Sequence, residues 1–176
     1  RDEEGNTLLH HAVRTSNNPN ILEAFLLANP MAAQIPNQLG LLPLHVALWK
    51  CCVEKSIVQR LLEVYPAAAS IKDRSGHLPL HYACQEGVSD ASILGMLLDH
   101  GPRAVQEPVW DGSLSLHLAL RRAAQDNNSN RNMKQETHNN AVIAQLIPAY
   151  PDAAAIPDPQ SKLYPLHVAL LSGRPV

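Results

Sequence analysis

The sequence predicts an all-α fold in which short helix pairs stack into one array. Three elements recur in phase along the 176 residues: a block that ends in Leu-His-x-Ala, a Leu-Leu pair or its equivalent, and a Pro followed two positions later by Ala. A period of about 20–50 residues is typical of repeat arrays. Aromatic residues make up only 4% of the chain, so Leu, Ala, Ile and Val must form the core, which suits closely packed helices.

The first element marks the start of the first helix in each unit. Its histidines are 35, 36, 36 and 50 residues apart. These ladder histidines are His10, His45, His81, His117 and His167. Pro43 stands two residues before His45, where a helix can begin because the missing N–H of proline is not needed there. Apolar residues such as Leu44 and Leu48 then lie on one helical face.

The second and third elements define the second helix and its end. The apolar pairs are Leu26-Leu27, Leu61-Leu62, Leu97-Leu98 and Leu146-Ile147. In the second unit, Ile57, Val58 and Leu61 lie at helical spacing, and Pro66 helps to stop the helix that they predict. One helix pair cannot bury both of its apolar faces, whereas stacked copies can, so we expect each unit to be stabilised by its neighbours.

These blocks resemble the ankyrin repeat, whose signature is Gly-x-Thr-Pro-Leu-His-x-Ala followed by a second helix that ends in Leu-Leu. The resemblance covers essentially the whole chain. It implies a solenoid of antiparallel helix pairs with β-hairpin-like loops that project sideways. Two departures indicate a divergent branch. First, the Thr of the signature is present only at Thr7, so most first helices lack its capping hydroxyl. Second, a Pro-x-Ala-Ala/Val element replaces the usual Gly-Ala after the second helix.

The recurring elements divide residues 1–176 into a single array of five repeats. Their expected bounds are 2–36, 37–72, 73–108, 109–158 and 159–176. The last repeat has only its first helix, and both ends resemble cuts from a longer array. A polar, Asn-rich insertion near 125–140 in the fourth repeat is expected to form a loop between two helices, with room for extended helix ends, and Asn132 could cap the second of them.

The ladder histidines admit two interpretations, a metal or proton-transfer site and a structural role. Stacked helices lie about 8–10 Å apart, whereas zinc needs its ligands at about 2.0–2.1 Å, so neighbouring ladder histidines cannot share a metal. A structural role, in which each imidazole bonds backbone groups of the loops, is therefore favoured. No metal site and no cofactor are expected.

The remaining candidates for chemistry also have structural explanations. The three cysteines lack the CxxC spacing of zinc sites and are expected to be small buried hydrophobic residues. Asp73, Asp111 and Asp158 fall one per connecting loop, which is typical of turns and not of the paired carboxylates of a hydrolase. With no phosphate-binding loop or nucleophile elbow either, we predict no catalytic residues and no enzyme activity.

The resemblance implies that partner-contacting residues lie at the loop tips and at the inner end of each first helix. At the tips these are Gln38, Leu39, Leu41, Arg74, His77, Trp110, Asp111 and Ser113. At the helix ends they are Arg14, Trp49, Lys50, Gln85, Glu86, Arg121 and Arg122. Trp and Arg are enriched at interface hot spots, although Trp49 could equally pack on a neighbouring repeat. The excess of cations at the helix ends predicts a basic face that suits an acidic and apolar partner segment.

These features predict a scaffold that binds a protein partner through its concave face and loop tips. Two alternatives stand beside it: the recognition domain of a larger enzyme, such as a ligase or kinase, and a structural subunit of a multiprotein assembly. A net charge of −2 does not favour nucleic-acid binding, and no apolar run approaches the ~20 residues of a membrane span. Sparse cysteines favour a reducing, intracellular compartment, with the cytoplasm preferred.

Overall fold

The computed structural model describes residues 1–16, 18–50, 53–88, 90–127 and 133–171. Within these ranges the chain forms nine α-helices and no β-strand, so the predicted all-α class is confirmed. The helices are α1 (Leu8–Thr15), α2 (Pro19–Ala28), α3 (Pro43–Trp49), α4 (Lys55–Val64), α5 (Pro79–Glu86), α6 (Ser92–His100), α7 (Ser115–Asn127), α8 (Met133–Ala149) and α9 (Pro165–Leu171). Short 3₁₀ helices follow α2, α4, α6 and α8, at Pro30–Gln34, Pro66–Ser70, Pro102–Val105 and Pro151–Ala155.

The α-helices form two layers. In the first layer α1, α3, α5, α7 and α9 contact one another in that order, and in the second α2, α4, α6 and α8 do the same. From α1 to α7, each first-layer helix also contacts the second-layer helix that follows it in sequence. Each of the first four predicted repeats therefore holds one helix of each layer, although the repeat bounds themselves stay a prediction.

The leucine before each ladder histidine anchors the core. Leu9, Leu44, Leu80 and Leu116 are at most 2% exposed. Burying one leucine side chain stabilises the fold by about 1.5–3 kcal/mol, so this position contributes in each of four units. The equivalent Leu166 in α9 is 47% exposed, which means that the described part of the chain leaves this side of α9 largely uncovered.

Four ladder histidines each make two hydrogen bonds, one to the start of their own first helix and one to a backbone carbonyl further along the chain. The Nδ1 atom of His45 accepts a bond from the backbone N–H of Leu42 at 3.0 Å, and Nε2 bonds the carbonyl of Ile71 at 3.1 Å. Because a backbone N–H can only donate, the imidazole proton lies on Nε2. His81 and His117 make the same two bonds. His10 accepts the N–H of Thr7, but its Nε2 bonds the carbonyl of Leu41, which lies further along the connection. These four imidazoles therefore bond backbone groups, whereas His167 is exposed and contacts the Tyr164 ring edge-on.

The ladder histidine bonds the residue before the first helix whether that residue is threonine or leucine. Thr7 supplies a side-chain cap by accepting a bond from the N–H of His10 at 3.5 Å, but Leu42 and Leu78 have no side chain that can cap. At these two helices the N–H of the leucine is bonded by the ladder histidine, and the following proline has no N–H to satisfy. The imidazole and the proline thus account for two of the four N–H groups at such a helix start, but they do not replace the bond that a threonine hydroxyl makes to the third position.

Consecutive units are joined by tight turns, which we call tip turns, at residues 2–6, 37–41, 73–77, 109–113 and 158–163. In the third, the N–H of Asp73 bonds the carbonyl of His77 at 2.9 Å, and Gly76 adopts a φ of 75° that glycine accepts without strain. The N–H of Arg74 bonds the carbonyl of Leu39 in the preceding turn at 3.0 Å. The loops predicted to be β-hairpin-like are thus stacked turns with no strand in the described residues.

The fourth unit is helical for longer than expected. Helix α7 continues through Asn127 and α8 begins at Met133, so the prediction of a loop over 125–140 is wrong for much of that range. Residues 128–132, including the predicted cap Asn132, lie outside the described residues. Extending a nucleated helix costs little, and α7 and α8 contact each other. Polar composition alone could not separate a loop from two extended helices.

Acid should destabilise the array between pH 6.5 and about 4. Burial lowers the pKa of His45 and of His81 from 6.5 to about 4 in the folded chain, so protonation favours the unfolded chain. Above pH 6.5 each histidine contributes its full amount to the free energy of unfolding. About 3 kcal/mol per histidine is lost as the pH falls towards 4, because a shift of one pKa unit corresponds to about 1.4 kcal/mol. Urea unfolding at pH 7.5, 5.5 and 4.5 measures this loss.

The matched control replaces both histidines by Gln, which can accept and donate hydrogen bonds but cannot ionise. Its stability, although lower at pH 7.5, should change less over the same pH range than that of the wild type. An equal stability of the wild type at pH 7.5 and pH 4.5 would contradict the neutral ladder.

Candidate functional site

Each tip turn from the second onward places a side chain over the glycine of the preceding turn. Trp110 lies over Gly76, where an added Cβ would collide with the indole ring. The same arrangement places Gln38 over Gly5, Arg74 over Gly40 and Pro159 over Gly112. Trp110 is nevertheless 80% exposed, so the glycine supports the ring while most of its surface stays open.

Trp110 forms one wall of a groove between the tip turns and the C-terminal halves of α5 and α7, which we call the Trp110 groove. Its volume is about 640 Å³, within the range of about 300–1,000 Å³ that is usual for ligand sites. It is lined by Ser75, His77, Gln85, Glu86, Val109, Trp110, Asp111, Leu118, Arg121, Arg122, Gln125 and Gln160. The predicted contacts that meet here are His77, Gln85, Glu86, Trp110, Asp111, Arg121 and Arg122.

Arg121 uses its charge within the protein. Its Nη2 donates to Oδ1 of Asp158 at 2.6 Å and to the hydroxyl of Ser113, and Nη1 lies 3.9 Å from Oδ2 of Asp111. The Asp158 side chain is only 3% exposed and that of Arg121 24%. This ion pair joins α7 to the fifth tip turn, so the face is less basic at Arg121 than the sequence alone suggests.

The carboxyl groups beside Arg121 remain ionised at neutral pH. Burial acts to raise the pKa of Asp158, but the hydroxyl of Ser161 and the guanidinium of Arg121 hold it below its ordinary value. Burial acts in the same direction on Asp111, whose pKa is lowered by hydrogen bonds from Ser113. Two carboxylates therefore share the positive charge of one arginine.

A second groove of about 220 Å³ lies beside the first and second tip turns. It is lined by Glu4, Asn6, His10, His11, Arg14, Asn37, Leu39, Leu41, Val46 and Trp49. Trp49 is 54% exposed, and its ring centroid is 6.2 Å from that of Tyr82 in the next unit. Trp49 therefore packs on a neighbouring repeat and still leaves half of its surface exposed, while its role as a partner contact stays a prediction.

Tyr82 connects this second groove to the Trp110 groove. Its hydroxyl donates to Oδ2 of Asp73 at 2.6 Å, and its ring centroid lies 5.4 Å from that of His77. Burial and the neighbouring carboxylate raise the pKa of Tyr82, so it stays a neutral donor. A continuous set of aromatic contacts thus runs from Trp49 to His77 at the edge of the larger groove.

Two of the residues predicted as partner contacts have buried side chains. Leu41 is 3% exposed, since it turns into the core at the end of its tip turn. Ser113 is fully buried, and its hydroxyl accepts a bond from Arg121. Three other predicted contacts lie outside both grooves, and they are Gln38, Lys50 and Arg74.

Among the lining residues that were not predicted are two glutamines, Gln125 and Gln160. Gln125 lies eight residues after His117, where α7 has continued beyond the length of the other first helices. Gln160 lies seven residues before His167, the same spacing that separates Trp110 from His117, so the period did carry a signal for it. In the structure, Nε2 of Gln160 donates to Oδ2 of Asp111 at 2.8 Å.

The other candidates for chemistry have structural surroundings. Cys84 is 1% exposed and burial raises its pKa, so the thiol stays protonated and packs as a small hydrophobic group. Cys51 and Cys52 lie outside the described residues. Oδ1 of Asp73 accepts bonds from two backbone N–H groups of its own tip turn at 2.8 Å, as predicted for a turn residue. Among the residues that the structure describes, no three His, Cys, Asp or Glu side chains are grouped to bind a metal ion.

Comparison with known proteins identifies similarity at the level of the fold. No protein-family model matches the chain, and no curated protein matches its sequence significantly. The fold is similar to a chain in the solved complex of the predatory endopeptidase Bd0816 from Bdellovibrio bacteriovorus with the immunity protein Bd3460, with a TM-score of 0.67 and 18% identity. The similarity covers 98% of this chain and 78% of the other. None of the described helices is long and apolar enough to span a bilayer.

Reversing the charge of Arg121 should destabilise the fold. Arg121→Glu would leave the buried Asp158 facing a like charge, and breaking a buried pair costs about 3–5 kcal/mol, so we expect a loss near the lower end because Arg121 is partly exposed. Urea unfolding at pH 7.5 gives the free energy of unfolding. Arg74→Glu at an exposed tip position is the matched control, with an expected change within about 0.5 kcal/mol. Similar losses in the two variants would show that the Arg121–Asp158 pair contributes nothing specific.

Proposed function

We propose that this chain is an ankyrin-type repeat array that binds a protein partner on the concave face formed by its tip turns and first-layer helix ends, and that it performs no catalysis itself. The recurring Leu-His-x-Ala block, the two helix layers and the ladder histidines support the ankyrin-type assignment. The fold similarity to a chain from an endopeptidase–immunity protein complex is consistent with a role in binding a protein.

The exposed indole of Trp110 carries the proposal. A monomer gains nothing from an aromatic ring that is 80% exposed, whereas a partner that covers it gains both apolar contact and a fixed anchor. The ring is supported by Gly76, so little conformational freedom is lost when it is covered. Polar side chains surround it in the Trp110 groove, as in interfaces where a buried aromatic anchor has a polar rim.

Truncation of Trp110 should weaken partner binding without loss of stability. The protein and its Trp110→Ala variant are immobilised in parallel, and proteins retained only by the wild type are identified by mass spectrometry. Surface plasmon resonance on the retained partner should then show a loss of about 2 kcal/mol or more for the variant, which is roughly a 30-fold rise in Kd. The thermal melt should be unchanged because Trp110 packs outside the core.

The control for stability is Leu116→Ala, a buried position next to a ladder histidine. It should cost about 2–5 kcal/mol of folding stability while the remaining folded protein keeps its affinity for the partner. The proposal is refuted if Trp110→Ala binds the partner as tightly as the wild type and substitution of exposed second-layer residues abolishes binding. That result would place the partner on the opposite face.

A further inference from the structure

We infer that the segment bound in the Trp110 groove is an extended and uncharged part of the partner, with an apolar side chain against the indole and its main chain bonded by glutamine amides. This inference rests on the proposed function, and it replaces the acidic segment expected from the sequence. Three features of the groove lead to it: its charge balance, its amides and its size.

The formal charges that line the groove cancel. Arg121 and Arg122 contribute two positive charges, and Glu86 and Asp111 contribute two negative charges. Arg121 is in addition held by Asp158, which lies outside the lining. An acidic segment would meet Glu86 and Asp111, and a basic segment would meet the arginines, so neither sign gains a net attraction. A neutral segment avoids both costs.

Glutamine amides occupy three different elements around the groove. Gln85 lies in α5, Gln125 in α7 and Gln160 in the fifth tip turn. A glutamine amide has two donors and one acceptor, and this mixed set matches the alternating N–H and C=O groups of a peptide main chain, although one donor of Gln160 already bonds Asp111. An extended segment presents these groups unpaired, whereas a helix has already satisfied them within itself.

The size of the groove also favours an extended segment. An α-helix is about 10–12 Å wide with a rise of about 5.4 Å per turn, so one turn fills roughly 400–600 Å³, which is most of the 640 Å³ available. At the base of the groove Val109 and Leu118 are 6% and 7% exposed, and Trp110 stands beside them. These three side chains give an apolar side chain of the bound segment a place to pack.

A display experiment tests this inference directly. A library of random linear dodecamers and a library of helices displayed on a rigid scaffold are each panned against the wild-type protein and against Trp110→Ala. We expect linear peptides with a central apolar residue and no excess of charge to be enriched on the wild type and lost on the variant. The Kd of the best synthetic peptide should change less than about threefold between 50 and 500 mM NaCl, because charge screening affects only charged partners.

Leu27→Ala is the matched control, since it removes an exposed apolar side chain of the second helix layer that lies outside the Trp110 groove. The selected peptide should bind this variant as it binds the wild type. Three outcomes would each overturn the inference. The enriched peptides are rich in Asp and Glu and lose affinity tenfold or more at high salt, or binders come from the helical library alone, or the linear binders tolerate Trp110→Ala.

The two hypotheses fail in different ways. If a captured protein partner depends on Trp110 but no linear peptide is enriched, the proposed function stands and the extended segment is wrong. If the captured partner is indifferent to Trp110 as well, both are wrong.

Discussion

The neutral imidazole of the ladder histidine is the group on which the stacked helices depend most. One ring nitrogen accepts the N–H of a helix start and the other donates to a carbonyl of the connection to the next unit. Both bonds need a single proton on Nε2, because a protonated ring would present a donor to the backbone donor. His45 and His81 are fully buried, so one uncharged group joins a helix start to the connection that leads to the next unit, away from water.

The ladder also sets the register at which surface side chains meet. A tip residue lies seven positions before its histidine and a helix-end residue four positions after it, so Trp110 and Arg121 belong to one unit and line one groove. In the preceding unit the same two positions hold Arg74 and Gln85. One repeated backbone therefore presents a different pair of side chains at every unit, and the glycine under each tip keeps these side chains in comparable places.

Features that repeat with the period were predictable, because each copy makes the same contacts. The helices, the ladder bonds and the turn role of Asp73 are of this kind. Departures from the period were not predictable. Asp158, which pairs with Arg121, lies in a turn that is one residue longer than the others. Gln125 reaches the groove because α7 is extended. Leu41 and Ser113 occupy tip positions, and only the backbone path shows that they turn inward.

Stability and recognition are coupled at Arg121 and separate at Trp110. The arginine holds Asp158, and this pair keeps the fifth tip turn against the groove, where Gln160 bonds Asp111. A change at Arg121 therefore alters both the stack and the groove wall. The indole lies over the backbone of Gly76, and burying roughly 200 Å² of its surface yields about 5 kcal/mol only when another molecule covers it. A tip position can thus change its partner without changing the fold, whereas a helix-end position that pairs across units cannot.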